Sequence, residues 1–243
     1  MKSNRYHLVL TLVAGLCLHP GALSAQTGAA AQTEAAVRTG VIAGAVLLPP
    51  SQKKQRIFRG SLYRNRLAPD RSDPAVVVRR SPYDDIVISA HPIDFDPPME
   101  ATPTAARMDQ KMAQFQPRVL PVRVGARVEF VNQDRFYHNV FSLSPGSKFD
   151  IGRKPTGVVV DHRFEVTGVV EVFCDIHPQM KATLLVLDTP WFAQPDSTGS
   201  FRLDGLPVGR YRLHAYHPQH DDLEREIVVG GGVPVTQSFV FGR

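Results

Sequence analysis

Between residues 106 and 188, apolar residues alternate with polar ones or fill short runs, at 119–124, 126–132, 139–143, 158–164, 169–174 and 182–187. A period of two, with β-branched residues in the runs, predicts strands. Gly125, Pro145-Gly146 and Gly168 fall between the runs and supply turns. Short strands at this spacing predict a β-sandwich. A second set, at 201–203, 211–213, 226–229 and 235–241, predicts another small β unit after Asp188-Thr189-Pro190. Earlier in the chain, 41–48 and 85–90 are strand-like, and the basic, Pro-containing stretch 53–80 reads as a long loop with an edge strand. No helical period extends beyond a couple of turns, so the pattern predicts an all-β protein.

A chain of 243 residues is long for one small domain and fits two, at roughly 150 residues per domain. The pattern divides it accordingly. Residues 1–25 carry Lys2 and Arg5, then an apolar run from Leu8 to Leu18, and end in the small residues Ser24-Ala25. This is the form of a signal peptide, and its run is too short to span a membrane. Residues 26–36, low in complexity, read as a leader. Residues 37–95 hold the N-terminal strands, 94–104 form a Pro-rich connector, 106–188 the main domain and 189–243 the second β unit.

Cleavage after Ala25 changes the cysteine count. It removes Cys17 and leaves Cys174 as the single thiol, so no intramolecular disulfide forms in an exported protein. Charge says less. Removing Lys2 and Arg5 leaves 26 Lys+Arg (28 minus 2) against 23 Asp+Glu. With no basic block interleaved with aromatics, nucleic acid is excluded as a partner.

The chemistry is concentrated in Phe173-Cys174-Asp175-Ile176-His177-Pro178-Gln179-Met180, where a thiolate, an imidazole and a thioether follow one another at a strand end. One turn can aim all of them at a single point. Soft sulfur ligands select copper, and Cys/His/His with a weak axial Met is the blue-copper donor set. The second imidazole is assigned to His138, in Phe136-Tyr137-His138-Asn139-Val140-Phe141, which opens a strand pattern a hairpin away from the Cys174 loop.

These residues resemble the cupredoxins, above all the amicyanin-like branch, whose ligand loop Cys-x-x-His-Pro-x-Met is matched from Cys174 to Met180. His138-Asn139-Val140 matches the first-ligand segment, and the likeness covers roughly residues 106–188. Met108-Asp-Gln-Lys, Phe115-Gln-Pro and Val124-Gly125 further resemble exported plastocyanin-like proteins and the group called methylamine utilisation proteins. The resemblance implies a Greek-key β-sandwich with one type 1 copper at its end, held by His138, Cys174, His177 and Met180, and Asn139 tying the two ligand segments together. It also implies periplasmic electron transfer to or from a redox partner such as a cytochrome c or a periplasmic dehydrogenase or oxidase, with His177 as the exposed edge for electrons. The stretch from Asp196 through Gly205-Leu206-Pro207 to Leu213 resembles the transthyretin-like regulatory domain of carboxypeptidases. Gly40-x-x-x-Gly44-x-Val46 fits that domain's first strand, so the copper domain is expected to be inserted into a sandwich built from both chain ends.

Other readings remain beside this one. Cys174 as an inert core thiol, with His138 and His177 hydrogen-bonded and Met180 in packing, needs no metal. Zinc prefers Cys, His and carboxylate, and gains nothing from a thioether. An enzyme would use Cys174 as a nucleophile with a histidine base, while copper oxidases and nitrite reductases need further histidine sites, so no catalytic role is expected. His91, His162 and the trio His214, His217 and His220 remain. His214 and His217 fall on opposite faces of a strand and Pro218 turns the chain, against a second metal. Lys148, Arg153 and Lys154 form a basic loop suited to an acidic partner or simply to water. The alternative from another class is an exported binding, assembly or copper-handling module.

Overall fold

Most of the runs read as strands from the sequence fold as strands in a computed structural model that describes residues 38–49, 80–97 and 105–242. The signal peptide, leader, Cys17, nearly all of the 53–80 loop and most of the Pro-rich connector lie outside the described residues. Among those described there are strands and no helix, and none is therefore long and apolar enough to cross a membrane.

The central part of the chain builds one sandwich from β3 (Ala106–Gln110), β4 (Phe115–Gln116), β5 (Val119–Arg123), β6 (Ala126–Asn132), β7 (Phe141–Ser142), β8 (Phe149–Asp150), β9 (Val159–Phe164), β10 (Gly168–Phe173) and β11 (Lys181–Leu187). One sheet runs β5-β11-β10-β7-β8 and the other β4-β3-β6-β9. Met108, Val128, Phe130 and Phe164 from the second sheet meet Val122, Val172, Leu184 and Val186 from the first in a single apolar core, joined at one end by Cys174 and Met180. Parallel pairing of β5 with β11, and of β3 with β6, sits beside antiparallel pairs in each sheet.

The flanking strands make a second sandwich: β1 (Thr39–Leu47), β2 (Val87–Pro92), β12 (Phe192–Ala193), β13 (Ser200–Pro207), β14 (Gly209–Tyr216), β15 (Leu223–Val229), β16 (Val235–Thr236) and β17 (Phe239–Val240). β1 pairs with β13, β16 and β17, all from the C-terminal part of the chain, while β2 lies between β12 and β14. Ile42, Ile88, Phe201, Leu213 and Phe239 share this second core. The chain thus leaves one sandwich after β2 and returns to it at β12.

The two sandwiches share a seam. Alternate residues of β11 serve different cores: Leu184 and Val186 face into the central sandwich, whereas Leu185 and Leu187 join Val119 against Val87 and Tyr216 of β2 and β14. Burial on both faces explains why β11 reads as an unbroken apolar run rather than an alternation. Thr189 closes the seam by donating to the Ala90 carbonyl at 2.6 Å. By their contacts, the described residues form one compact unit.

Candidate metal centre

The ligand loop is a short detour between two paired strands. β10 and β11 are antiparallel neighbours from Gly168↔Val186 to Phe173↔Lys181, so residues 174–180 must span the gap between adjacent strand ends. Two backbone bonds tighten that span, Met180 N–H to the His177 carbonyl at 2.9 Å and Cys174 N–H to the Met180 carbonyl at 3.3 Å. The thiol and the Met180 side chain are thereby turned inward, at 4% and 1% exposure, while His177 stays part-exposed at the rim.

His138 arrives from the neighbouring strand. β7 pairs with β10 at Phe141↔Phe173, which sets the residues before Phe141 beside those after Phe173. His138 is held on both sides of its backbone by Lys154, 3.1 Å from N–H to carbonyl and 2.7 Å in return. Its imidazole is wholly buried. The expected strand at 139–143 shrinks to Phe141–Ser142 because the Asn139 N–H is turned to the Cys174 Sγ at 3.5 Å instead of to a ladder partner.

Three donor atoms converge as a result. The Nδ1 atoms of His138 and His177 each lie 3.8 Å from the Cys174 Sγ, and all three lie within 4.8 Å of one another. A trigonal set with bonds of about 2.0 Å to nitrogen and about 2.3 Å to sulfur, as in zinc sites, places nitrogen and sulfur ~3.8 Å apart. The spacing therefore fits a metal ion at the centre of the triangle. The donor set decides which metal. Among the described residues no carboxylate completes the group, and the residue buried beside Cys174 on the same loop is a methionine, a donor that copper accepts and zinc does not favour.

The histidine protons are arranged to match. His138 Nε2 donates to the Asp134 carboxylate at 2.8 Å, so the proton sits on Nε2 and the Nδ1 lone pair faces the thiol. An imidazole that gives its outer proton to a carboxylate is the usual support of a metal-bound histidine. His177 has its pKa lowered by burial and by the neighbouring His138, with Asp134 acting weakly in the opposite direction. Both lowering effects favour the neutral imidazole, the form that can bind a metal.

No protein-family model matches the chain, and no curated protein matches it. Among solved structures, its neighbours are cupredoxins over part of the chain. A purple cupredoxin from Nitrosopumilus maritimus is 26% identical over 34% of this chain and 99% of its own, with a TM-score of 0.31. Amicyanin from Paracoccus versutus is 18% identical over 35% of this chain and 82% of its own, at a TM-score of 0.32. A copper-containing nitrite reductase from Thermus scotoductus SA-01 is 25% identical over 40% of this chain but only 25% of its own, at 0.34. At these TM-scores the likenesses lend the site no weight, and it stands on its own residues.

Asn139 bridges the ligand segments through its backbone rather than its side chain. On β8 the Asp150 carboxyl has its pKa lowered first by the Gly152 N–H and then by the Asn139 side chain, and the Asn139 Oδ1 is buried without a partner. Asp134 is the site residue that the sequence did not reveal; its only signal is an acidic residue four positions before His138. The Phe136 ring, in a residue 46% exposed, lies 5.3 Å from His177.

The remaining histidines stand apart. His214 pairs with Asp222 at 3.1 Å, whereas His217 and His220 come together across the Pro218 turn with ring centres 4.6 Å apart. His162 stacks on Phe149. His91 lies between Ser89 Oγ at 2.9 Å and Asp188 at 2.7 Å. That row has the order of a hydrolytic triad, but Ser89 has no exposure at all, and the link instead fastens β2 to the end of β11. In the basic loop, Arg153 is paired with Asp175.

Proposed function

We propose that this protein is an exported, periplasmic electron carrier with a single type 1 copper held by His138, Cys174, His177 and Met180. The observation that carries the reading is the convergence of two imidazole nitrogens, both 3.8 Å from one buried thiol, with Met180 buried on the same short loop. Copper, when bound, supplies the one-electron couple between Cu(I) and Cu(II).

The protein's part is to hold the donors still. Cys174 and His138 come from adjacent strands whose pairing fixes their separation, and the loop between Cys174 and Met180 is closed by its own backbone bonds. Little needs to move when an electron arrives, which keeps transfer fast. His177, part-exposed and flanked by the exposed Phe136 ring, is the edge through which a redox protein would exchange electrons. Lys148 and Lys154 in the basic loop favour a partner with an acidic rim, such as a cytochrome c or a periplasmic dehydrogenase. No substrate is consumed, and the protein is read as a carrier rather than an enzyme. The second sandwich, transthyretin-like in its sequence signature, is read as the scaffold that presents the copper sandwich.

The test is the visible spectrum of the copper-loaded protein lacking residues 1–25, before and after a mild reductant. An intense thiolate-to-copper band that bleaches and returns on reoxidation is expected, and Cys174→Ser should abolish it. A colourless protein with bound copper would move the assignment to copper handling or assembly, and a blue Cys174→Ser protein would remove Cys174 from the site.

A further inference from the structure

We propose that the turn between β3 and β4 is a positioning device for the metal centre, acting through Asp134 on His138; this rests on the reading of His138 as a copper ligand. The turn closes on itself by reciprocal backbone bonds between Lys111 and Gln114, at 2.9 and 3.1 Å. Its two central residues, Met112 and Ala113, both have left-handed backbones, with φ of 55° and 52°. Two-residue hairpin turns of this kind ordinarily take Asn-Gly or Gly-Gly. A pair of side-chain-bearing residues there costs conformational energy, and such cost persists where the surroundings enforce it, commonly at functional sites.

The surroundings that enforce it are the carboxylate of Asp134. Successive left-handed residues aim their N–H groups at one point and make a small anion-binding nest. Met112 N–H donates to Oδ1 at 2.6 Å and Ala113 N–H to Oδ2 at 2.8 Å, and that same Oδ2 accepts the Nε2 proton of His138. Asp134 is further fixed by its own N–H, which donates to the Asn132 side chain at 2.9 Å. The carboxylate is therefore oriented from three sides, and the imidazole inherits its orientation and tautomer. None of these turn atoms touches the metal triangle.

An amide cannot replace the carboxylate. In either orientation of the side-chain amide that Asp134→Asn introduces, its NH2 would face an N–H: that of Met112 in one case, those of Ala113 and His138 in the other. The substitution is isosteric, so the fold should survive. Nitrogen NMR of the copper-free variant should show the Met112 amide exchanging faster, or the Ala113 amide exchanging faster with His138 losing its single Nε2–H form, according to which way the amide settles. In the loaded protein, copper affinity should fall ~10–100-fold, the range for outer-shell partners, and the reduction potential should rise, because a negative charge that favours Cu(II) is gone.

A turn-specific pair isolates the hairpin. Ala113→Val, β-branched and unable to hold a positive φ, should reproduce the loss, whereas Ala113→Gly, which holds it freely, should keep the single tautomer. The device is refuted if His138 in the copper-free Asp134→Asn protein keeps its single tautomer with both turn amides protected. Failure of the wild-type protein to bind copper, with the tautomer result intact, would instead refute only the carrier reading.

Discussion

At the residue scale, the convergence of His138, Cys174 and His177 was legible because most of its chemistry is compressed into one loop. Cys174, His177 and Met180 lie within a single turn, and the unusual pairing of thiol and thioether names the metal class. His138 was legible from the pattern around it. Asp134 was not, because its role depends on a turn more than twenty positions away whose shape no propensity predicts: Met112-Ala113 is poor hairpin-turn sequence and carries no turn signal. The test that belongs at this scale concerns Met180. Replacing its sulfur with the harder amide oxygen of Met180→Gln stabilises Cu(II) over Cu(I), so cyclic voltammetry should record a lower potential while the blue band persists. An unchanged potential would remove Met180 from the coordination sphere.

At the element scale, long strands are more legible than short ones. The runs at 119–124 and 126–132 appear as β5 and β6 almost to the residue, because strand length and alternation reinforce each other there. The two-residue strands β4, β8 and β12 are too short to generate a period and exist only because a partner strand lies alongside. β1 shows the converse, a motif whose meaning is steric. A Cβ on Gly44 would stand 1.6 Å from the Gln237 carbonyl oxygen, and on Gly40 2.4 Å from a Val229 methyl. The backbones approach this closely because the Gln237 N–H donates to the Ala43 carbonyl at 3.0 Å, holding the C-terminal segment against β1. Gly44→Ala must push that segment away or lose the bond. The expected destabilisation is about 2–3 kcal/mol, at the upper end for inserted methyl groups, or roughly 5–10 °C in melting temperature for a chain of this length. A melting temperature within about a degree of wild type would show that the segment has no fixed seat on β1.

At the scale of the whole molecule, the seam between the sandwiches is where pH should act. His217 follows β14 in the second sandwich, yet the charge of Arg118 from the central one reaches it, and its ring packs beside His220 and Phe241. Burial first, then the nearby His220 and Arg118, push its pKa down from 6.5 to about 4. With only 6% of the residue exposed, the folded protein keeps this imidazole neutral where the unfolded chain would protonate it. The sign follows: between pH 6.5 and about 4 the unfolded state binds more protons, so stability falls as pH falls through that window and is fully retained above it. A shift of this size corresponds to roughly 3 kcal/mol once fully developed. Urea unfolding of the metal-free protein at about pH 7.5 and about pH 4.5 should therefore show a large part of that loss, and His217→Gln, neutral at both values, should lose markedly less. Metal-free protein is required so that acid release of a bound metal does not add to the loss; His177, whose pKa is also lowered, is present alike in wild type and His217→Gln. Equal losses in wild type and His217→Gln would mean that protonation of His217 is not what makes the fold acid-sensitive.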